Sequence, residues 1–225
     1  LTFILSISQK FDSILGYFAS KDHLSGAGDP FGIRRSTLSI IKICIEKKIG
    51  IDFYNLFSLN NDLYKKQNIS IKIDYAYLFE FFKKRISILF GELGYRQDLI
   101  KASINYKFDP YFIFERLKNM DKLYKSKEGN NFLKAFKRLN SLSEDMEQNK
   151  INKTLFNRDE EKRLFELLKD LRLKINNNYN FIFQNHDYLK KITEILDNFF
   201  DNVIVNDENN KIRINRKILI NEFRK

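Results

Sequence analysis

Apolar residues recur along this chain at three- and four-residue steps. The period is clearest at Tyr75, Leu78, Phe79, Phe82, Ile86, Leu89 and Phe90, with Lys83, Lys84 and Arg85 falling between them, and it predicts a long core-facing helix. A second clear stripe runs through Leu164, Leu167, Leu168, Leu171 and Ile175. Ahead of it, Asn157 followed three residues later by Glu160 has the spacing of a capping box, and Asp159, Glu160 and Glu161 sit where the helix dipole favours acids. Further helices are predicted at about 3 to 19, 33 to 47, 96 to 105, 110 to 125, 129 to 146, 187 to 201 and 208 to 224. Residues 68 to 74 and 202 to 207 alternate like strands but are too short and isolated to found a sheet, so they are expected as extended connectors. Segments 59 to 72 and 143 to 154 read as linkers.

Composition agrees with an all-α fold. In 225 residues there are only 2 Pro and 8 Gly, too few to punctuate a β-sandwich, while 22 Phe provide ample volume for a core. The single Cys44, in an apolar run, has no internal disulfide partner and is expected as a small buried residue in a reducing compartment. No run of about eighteen apolar residues offers a membrane span, and the N-terminal residues lack the features of a signal peptide. The chain begins at Leu1, inside an apolar-faced helix, and reads as part of a longer polypeptide.

Forty Lys and Arg against 29 Asp and Glu give a net charge of +11, which attracts polyanions such as RNA; compositional drift gives the same excess without any binding. Candidate chemistry is sparse. His186-Asp187 would need further ligands to hold a metal, the only other histidine is His23, and Asp187 is placed to cap the following helix. "LYKSKEGNN" has a lysine-serine pair but no nucleotide-binding fold beside it, and no nucleophile, base and orienter come together. The remaining candidates are basic helix faces. With Phe132, Leu133, Phe136 and Leu139 inward, Lys134, Lys137, Arg138 and Ser141 face outward, and Arg213, Arg216 and Lys217 share one side of the last helix. Each is either an RNA contact or a solvated face.

Four ordered segments carry a resemblance to a known family. "QKFDSILGYFASKDHLSGAGDPFGIRRSTLSIIKICIE" is similar to the stretch KLDTLVGFFA, short loop, GSKDPFALRRAALGVIRI in the β subunit of bacterial glycyl-tRNA synthetase. Asp12, Gly16, Phe18, Gly26, Asp29, Pro30, Phe31, Arg34 and Arg35 lie on matching positions. "LGYRQDLIKA" resembles GYRHDLIDAV, "EGNNFLKAFKRLNSL" resembles DGANLLAGYKRANNIL, and "FFDNVIVNDENNKIRINRKILI" resembles FFDKVMVMADDPALRENRLALL. The chain departs from the pattern at Ala27 and Gly28, at Lys101 and Ala102, where an acid is expected at 101, and at Phe136, where the pattern has tyrosine.

The resemblance implies a helical bundle body over residues 1–105 and a DALR-type helical anticodon-binding domain, similar to that of arginyl-tRNA synthetase, over 106–225. It implies a cytoplasmic, heterotetrameric ligase that joins glycine to its tRNA with ATP, with the aminoacylation site and ATP in the α subunit. This chain would have no catalytic residue, cofactor or metal of its own. Its partners would be glycine tRNA and the α subunit, without membrane or DNA. Lys134, Lys137, Arg138, Arg213 and Arg216 would contact tRNA. In the helix-entry motif, Asp29 is expected to cap, Pro30 to open the helix and Phe31 to plug the core, while Arg34 and Arg35 are either structural or tRNA contacts. Arg96 and Asp98 are expected to pair with one another. A general structured-RNA-binding module and an architectural subunit-docking domain are the competing readings.

Overall fold

The computed structural model describes residues 2–20, 28–29, 31–104, 107–143, 150–177 and 181–224, and among them it contains helices and no strand. The chain divides into two compact units, Leu1–Asp121 and Lys122–Lys225. The sequence boundary expected after residue 105 falls beside residues 105 and 106, which lie outside the described set.

The first unit contains α1 (Thr2–Ala19), α2 (Ile33–Glu46), α3 (Phe53–Lys66), α4 (Tyr75–Glu92), α5 (Gln97–Ile104) and most of α6 (Pro110–Lys125). α1 packs on α2, α2 on α4, and α4 on α5. The period that predicts α4 is the period that is buried: Leu78, Phe82, Ile86, Leu89 and Phe90 all face the core. Phenylalanine supplies the interior. Phe53 lies edge-on to Phe82 and Phe108 at centroid distances of 5.2 and 5.4 Å, and Phe11 stacks on Phe57 at 4.8 Å. Such pairs add about 0.5–1.5 kcal/mol each beyond their burial. Cys44 is fully buried in this core, as expected. Burial, with a smaller effect from the Asp109 charge, pushes its thiol up to about 12.

α3 overturns the expectation of a linker from residue 59. Asp52 caps it by accepting from the N–H groups of Tyr54 and Asn55 at 2.9 and 3.3 Å, and Phe53 and Phe57 anchor one face. Beyond Phe57 the helix is mostly polar and exposed, which hides its period. Residues 68–74 are a connector, as expected; the connector expected at 202–207 runs instead from 203 to 209, because Asn202 still belongs to the helix before it and the last helix begins at Asn210.

The second unit contains α7 (Lys127–Leu142), a 3-10 turn at Lys153–Leu155, α8 (Asp159–Asn177), the short α9 (Phe181–Gln184), α10 (His186–Asn202) and α11 (Asn210–Arg224). α10 packs against α7 and α8, and α11 packs on both of those helices. The α8 stripe buries Leu164, Leu167, Leu168 and Leu171, and α10 buries Leu189, Ile192, Leu196, Phe199 and Phe200. Ser126 opens α7: its hydroxyl donates to the Leu123 carbonyl at 2.8 Å and accepts from the Gly129 N–H at 2.9 Å. The lysine-serine pair of "LYKSKEGNN" is therefore part of a helix cap. Gly129 lies against the Leu123 backbone so closely that a Cβ would overlap its carbonyl.

Two caps differ from expectation. At α8 it is Glu161, not Glu160, that reaches back, its Oε2 accepting from the N–H groups of Asn157 and Arg158 at 3.0 and 2.9 Å. At α10 the cap is Asn185, which accepts from the Tyr188 N–H at 3.1 Å; Asp187 sits exposed in the first turn. Residues 144–149, within the expected 143–154 linker, lie outside the described set.

Candidate nucleic-acid interface

The open face of α7 carries the expected cations. Ala135 and Leu139 are buried, Phe132 and Phe136 half-buried with stacked rings, and Lys134, Lys137 and Arg138 are exposed. What faces them from α10 changes their meaning. Arg138 Nη1 donates to Asp201 Oδ1 and Nη2 to the Phe200 carbonyl, both at 2.9 Å, and the guanidinium lies 5.0 Å from the Phe200 ring. A charged fork thus satisfies the C-terminal end of α10, where carbonyls lack intrahelical partners and the dipole favours a cation. Lys134 lines a groove of about 510 Å³ between α7 and α10, with Lys127 and Lys190 but also Glu128, Glu194 and Asp197. Three ammonium groups there meet three carboxylates, so the groove is electrically mixed. Lys137 makes no ion pair among the described residues and projects to solvent.

α11 requires a correction. Arg216, expected on an open basic side, is buried, its side chain 3% exposed. Its Nε donates to Glu161 Oε1 at 3.0 Å, Nη1 to Asp207 Oδ2 at 2.7 Å and the Ile204 carbonyl at 2.8 Å, and Nη2 to Asn157 Oδ1 at 2.6 Å. Four of its five N–H groups are committed and the side chain is buried, so Arg216 is not presented to RNA. Its neighbour Asn215 is also buried and exchanges two hydrogen bonds with the Asn152 backbone at 2.8 and 3.0 Å. Asn215 thus ties α11 to the segment that leads into the 3-10 turn, and Arg216 ties it to the start of α8 and to the connector before α11. Arg213 is half-buried and donates to Asn210 Oδ1 at 2.7 Å and to the Asp207 carbonyl at 3.4 Å. No signal within α11 reveals the Arg216 site, because its acid partner Glu161 lies 55 residues away.

The helix-entry motif splits along the same lines. Asp29 does cap α2, its carboxylate accepting from the N–H groups of Arg34 and Arg35 at 3.1 and 3.4 Å. Gly32 precedes the helix at φ 65°, a left-handed conformation that glycine adopts without penalty. Phe31 does not plug the core; it is 69% exposed and touches only the edge of it, with its ring centroid 5.7 Å from that of Tyr17. The left-handed turn at Gly32 intervenes between Phe31 and the helix, and Ile33 takes the buried position. Arg35 extends into solvent, 3.8 Å from Asp29, while Arg34 is half-buried. Pro30, Gly26, Ala27 and His23 lie outside the described residues. Sequence reasoning also missed Arg85, which is buried in the core-facing side of α4 with its guanidinium 4.5 Å from the Phe81 ring. Burial first, and the Arg34 charge next, lower its pKa.

Arg96 and Asp98 form the expected pair, two parallel hydrogen bonds of 3.1 and 2.8 Å at the exposed start of α5. The bond from Arg96 holds the Asp98 carboxyl below the usual aspartate value. An exposed pair of this kind contributes under about 1 kcal/mol. Among the described residues no group of three His, Cys, Asp or Glu side chains is placed to hold a metal ion, and no described helix is long and apolar enough to cross a membrane.

Residues 1–105 match the family described as "Glycyl-tRNA synthetase beta subunit". Similarity to curated proteins extends much further. The "Glycine--tRNA ligase beta subunit" of Thermodesulfovibrio yellowstonii is 33% identical over 96% of this chain and 32% of its own length. That of Buchnera aphidicola subsp. Schizaphis graminum is 30% identical over 99% of the chain and 33% of its own length, and that of Clostridioides difficile 29% identical over 97% and 32%. The chain spans about a third of the length of the curated relatives it matches. Through residues 1–105, and by similarity along nearly all the rest, the chain belongs to the glycyl-tRNA synthetase β-subunit family.

Proposed function

We propose that this chain is a non-catalytic, tRNA-recognising part of a two-subunit glycine–tRNA ligase, and that its second unit, a DALR-type domain, contacts the anticodon region of glycine tRNA. ATP use and bond making would lie in the partner α subunit, in the cytoplasm. The observation that carries this reading is that similarity to ligase β subunits runs over 96–99% of the chain, second unit included. Among the residues expected to meet tRNA, Lys134 and Lys137 are the ones presented without a bonded partner among the described residues, and Lys137 leads because it lies outside the groove whose carboxylates face Lys134. Ammonium groups hold phosphates and set register, while unpaired bases are read by edges and stacking.

The test is the affinity of the chain for glycine tRNA against the same tRNA with an altered anticodon, at two salt concentrations. Discrimination of about 1–3 kcal/mol per changed base, beyond the shared salt-dependent part, is the expected result. Equal binding to both reduces the interaction to phosphate contact. A second reading, an architectural docking domain, draws support from the exposed apolar residues Ile4 and Leu5 on α1 and Leu59 and Leu63 on α3. It is favoured if neither tRNA binds at low salt.

A further inference from the structure

We propose that the first unit carries a separate RNA-backbone contact in the groove between α4 and α5, where Lys84 and Lys101 neutralise phosphates. The identity of the RNA rests on the tRNA reading above; the contact itself does not.

The charge excess of this chain is not concentrated in the second unit. Residues 1–121 hold 18 Lys and Arg against 13 Asp and Glu, and residues 122–225 hold 22 against 16. The α4/α5 groove, about 460 Å³, is lined by Glu80, Lys83, Lys84, Ser87, Lys101 and Ile104. Lys83 is bonded to Glu80 at 2.8 Å, so that pair cancels. Lys84 and Lys101 are exposed and make no ion pair among the described residues, leaving two uncompensated ammonium groups on one groove. The α7/α10 groove, with its three cations and three carboxylates, has no such excess.

The lining also indicates which part of a nucleic acid fits. Among the described residues that line it there is no aromatic ring and no arginine, so these residues offer no surface on which a base could stack and no planar fork to read a base edge. Lysines act as mobile point charges suited to phosphate oxygens, and the Ser87 hydroxyl adds a neutral donor. Such a contact adds affinity and orientation without sequence preference. Lys101 stands where the resembling family motif carries an acid, so the excess at this groove is a property of this chain.

The test compares K84Q/K101Q with K66Q/K72Q, which removes two exposed lysines elsewhere and changes the net charge equally. Far-UV circular dichroism and melting establish that both pairs fold. The probe is glycine tRNA, with native and with altered anticodon, at 50 and 200 mM KCl. Losing two phosphate contacts lowers the slope of log affinity against log salt by about 1.4–1.8. The affinity deficit of K84Q/K101Q therefore shrinks about 7- to 12-fold between the two salts, equally on both tRNAs, while K66Q/K72Q changes less than half as much. Matching affinities and slopes for the two variants overturn the proposal and leave an acidic protein segment as the partner of the groove; failure of the unmodified chain to bind RNA at 50 mM also overturns it. Loss of anticodon discrimination alone overturns only the reading in the previous section, since the salt slope is measured on either tRNA.

Discussion

Replacing Arg216 tests the most consequential difference between sequence and structure. Arg216→Ala removes four hydrogen bonds of 2.6–3.0 Å and leaves Glu161, which is fully buried, without its cationic partner. Truncating one member of a buried pair costs about 3–5 kcal/mol, because the remaining charge is desolvated and uncompensated. Glu161 retains the N–H groups of Asn157 and Arg158 on its other oxygen, which places the expected loss in the lower half of that range. Against a whole-domain stability of about 5–15 kcal/mol this is severe. With a urea m-value near 2 kcal/mol/M, the midpoint of the second unit falls by about 1.5–2 M. Arg216→Lys keeps the charge but reaches only part of the four-acceptor ring, so it falls between alanine and wild type. The double variant Arg216→Met with Glu161→Met removes both charges and recovers most of the loss. A midpoint that moves by less than about 0.3 M in Arg216→Ala, accompanied by a loss of tRNA affinity, would refute this account and restore Arg216 to the binding surface.

Three further outcomes follow from the packing. Gly129→Ala is expected to destabilise the second unit by about 1–3 kcal/mol in urea melts, because the added methyl overlaps the Leu123 carbonyl and that backbone is fixed by the Ser126 cap. Cys44 is expected to react with a thiol reagent at pH 8 only as fast as the first unit opens, so its modification rate rises with urea and serves as a probe of that unit; rapid reaction of the native chain contradicts its burial. Burial raises the Asp109 carboxyl above the ordinary 3.8, so the folded state holds that proton more tightly than the unfolded one. Its contribution is fully present below the unfolded pKa and is lost as pH rises through the folded one. Asp109→Asn keeps a cap acceptor for the Phe112 N–H, now 3.0 Å from Oδ1, and is expected to remove this loss; urea midpoints of the two proteins from pH 3 to 7 should diverge in favour of the variant.

Periodicity revealed the elements whose burial is continuous. α4 and α8 are read directly because large aliphatic or aromatic residues fill nearly all their buried positions, the exceptions being Arg85 on α4 and Glu161 at the start of α8. α3 escaped because its fully buried positions are confined to Phe53 and Phe57, and beyond them Leu59 and Leu63 point to solvent among Ser, Asn, Asp and Lys, which breaks the period. The surface was legible in composition but not in availability. A helical wheel sorts Lys137 and Arg216 alike as cations between apolar residues; whether an acid from a distant helix waits at that position depends on tertiary register, which no local pattern encodes. Arg138 shows the same limit, since its partners Asp201 and the Phe200 carbonyl are set by how α10 lies on α7. The Asp29 cap and the Arg96–Asp98 pair were readable because both partners lie within a few residues of one another.

The Arg138–Asp201 contact makes any anion that reaches Arg138 a competitor rather than a first occupant. Asp201 is tethered in the same fold, so its local concentration at the guanidinium is on the order of millimolar or above whatever the ligand concentration outside. A lone phosphate gains little by exchanging with it, because one charge-assisted bond replaces another. A ligand anchored elsewhere on the domain meets the same exchange as an intramolecular step and can win it. Asp201 thereby sets the level that any other anion must exceed to hold the Arg138 guanidinium, a modest one for a pair this exposed.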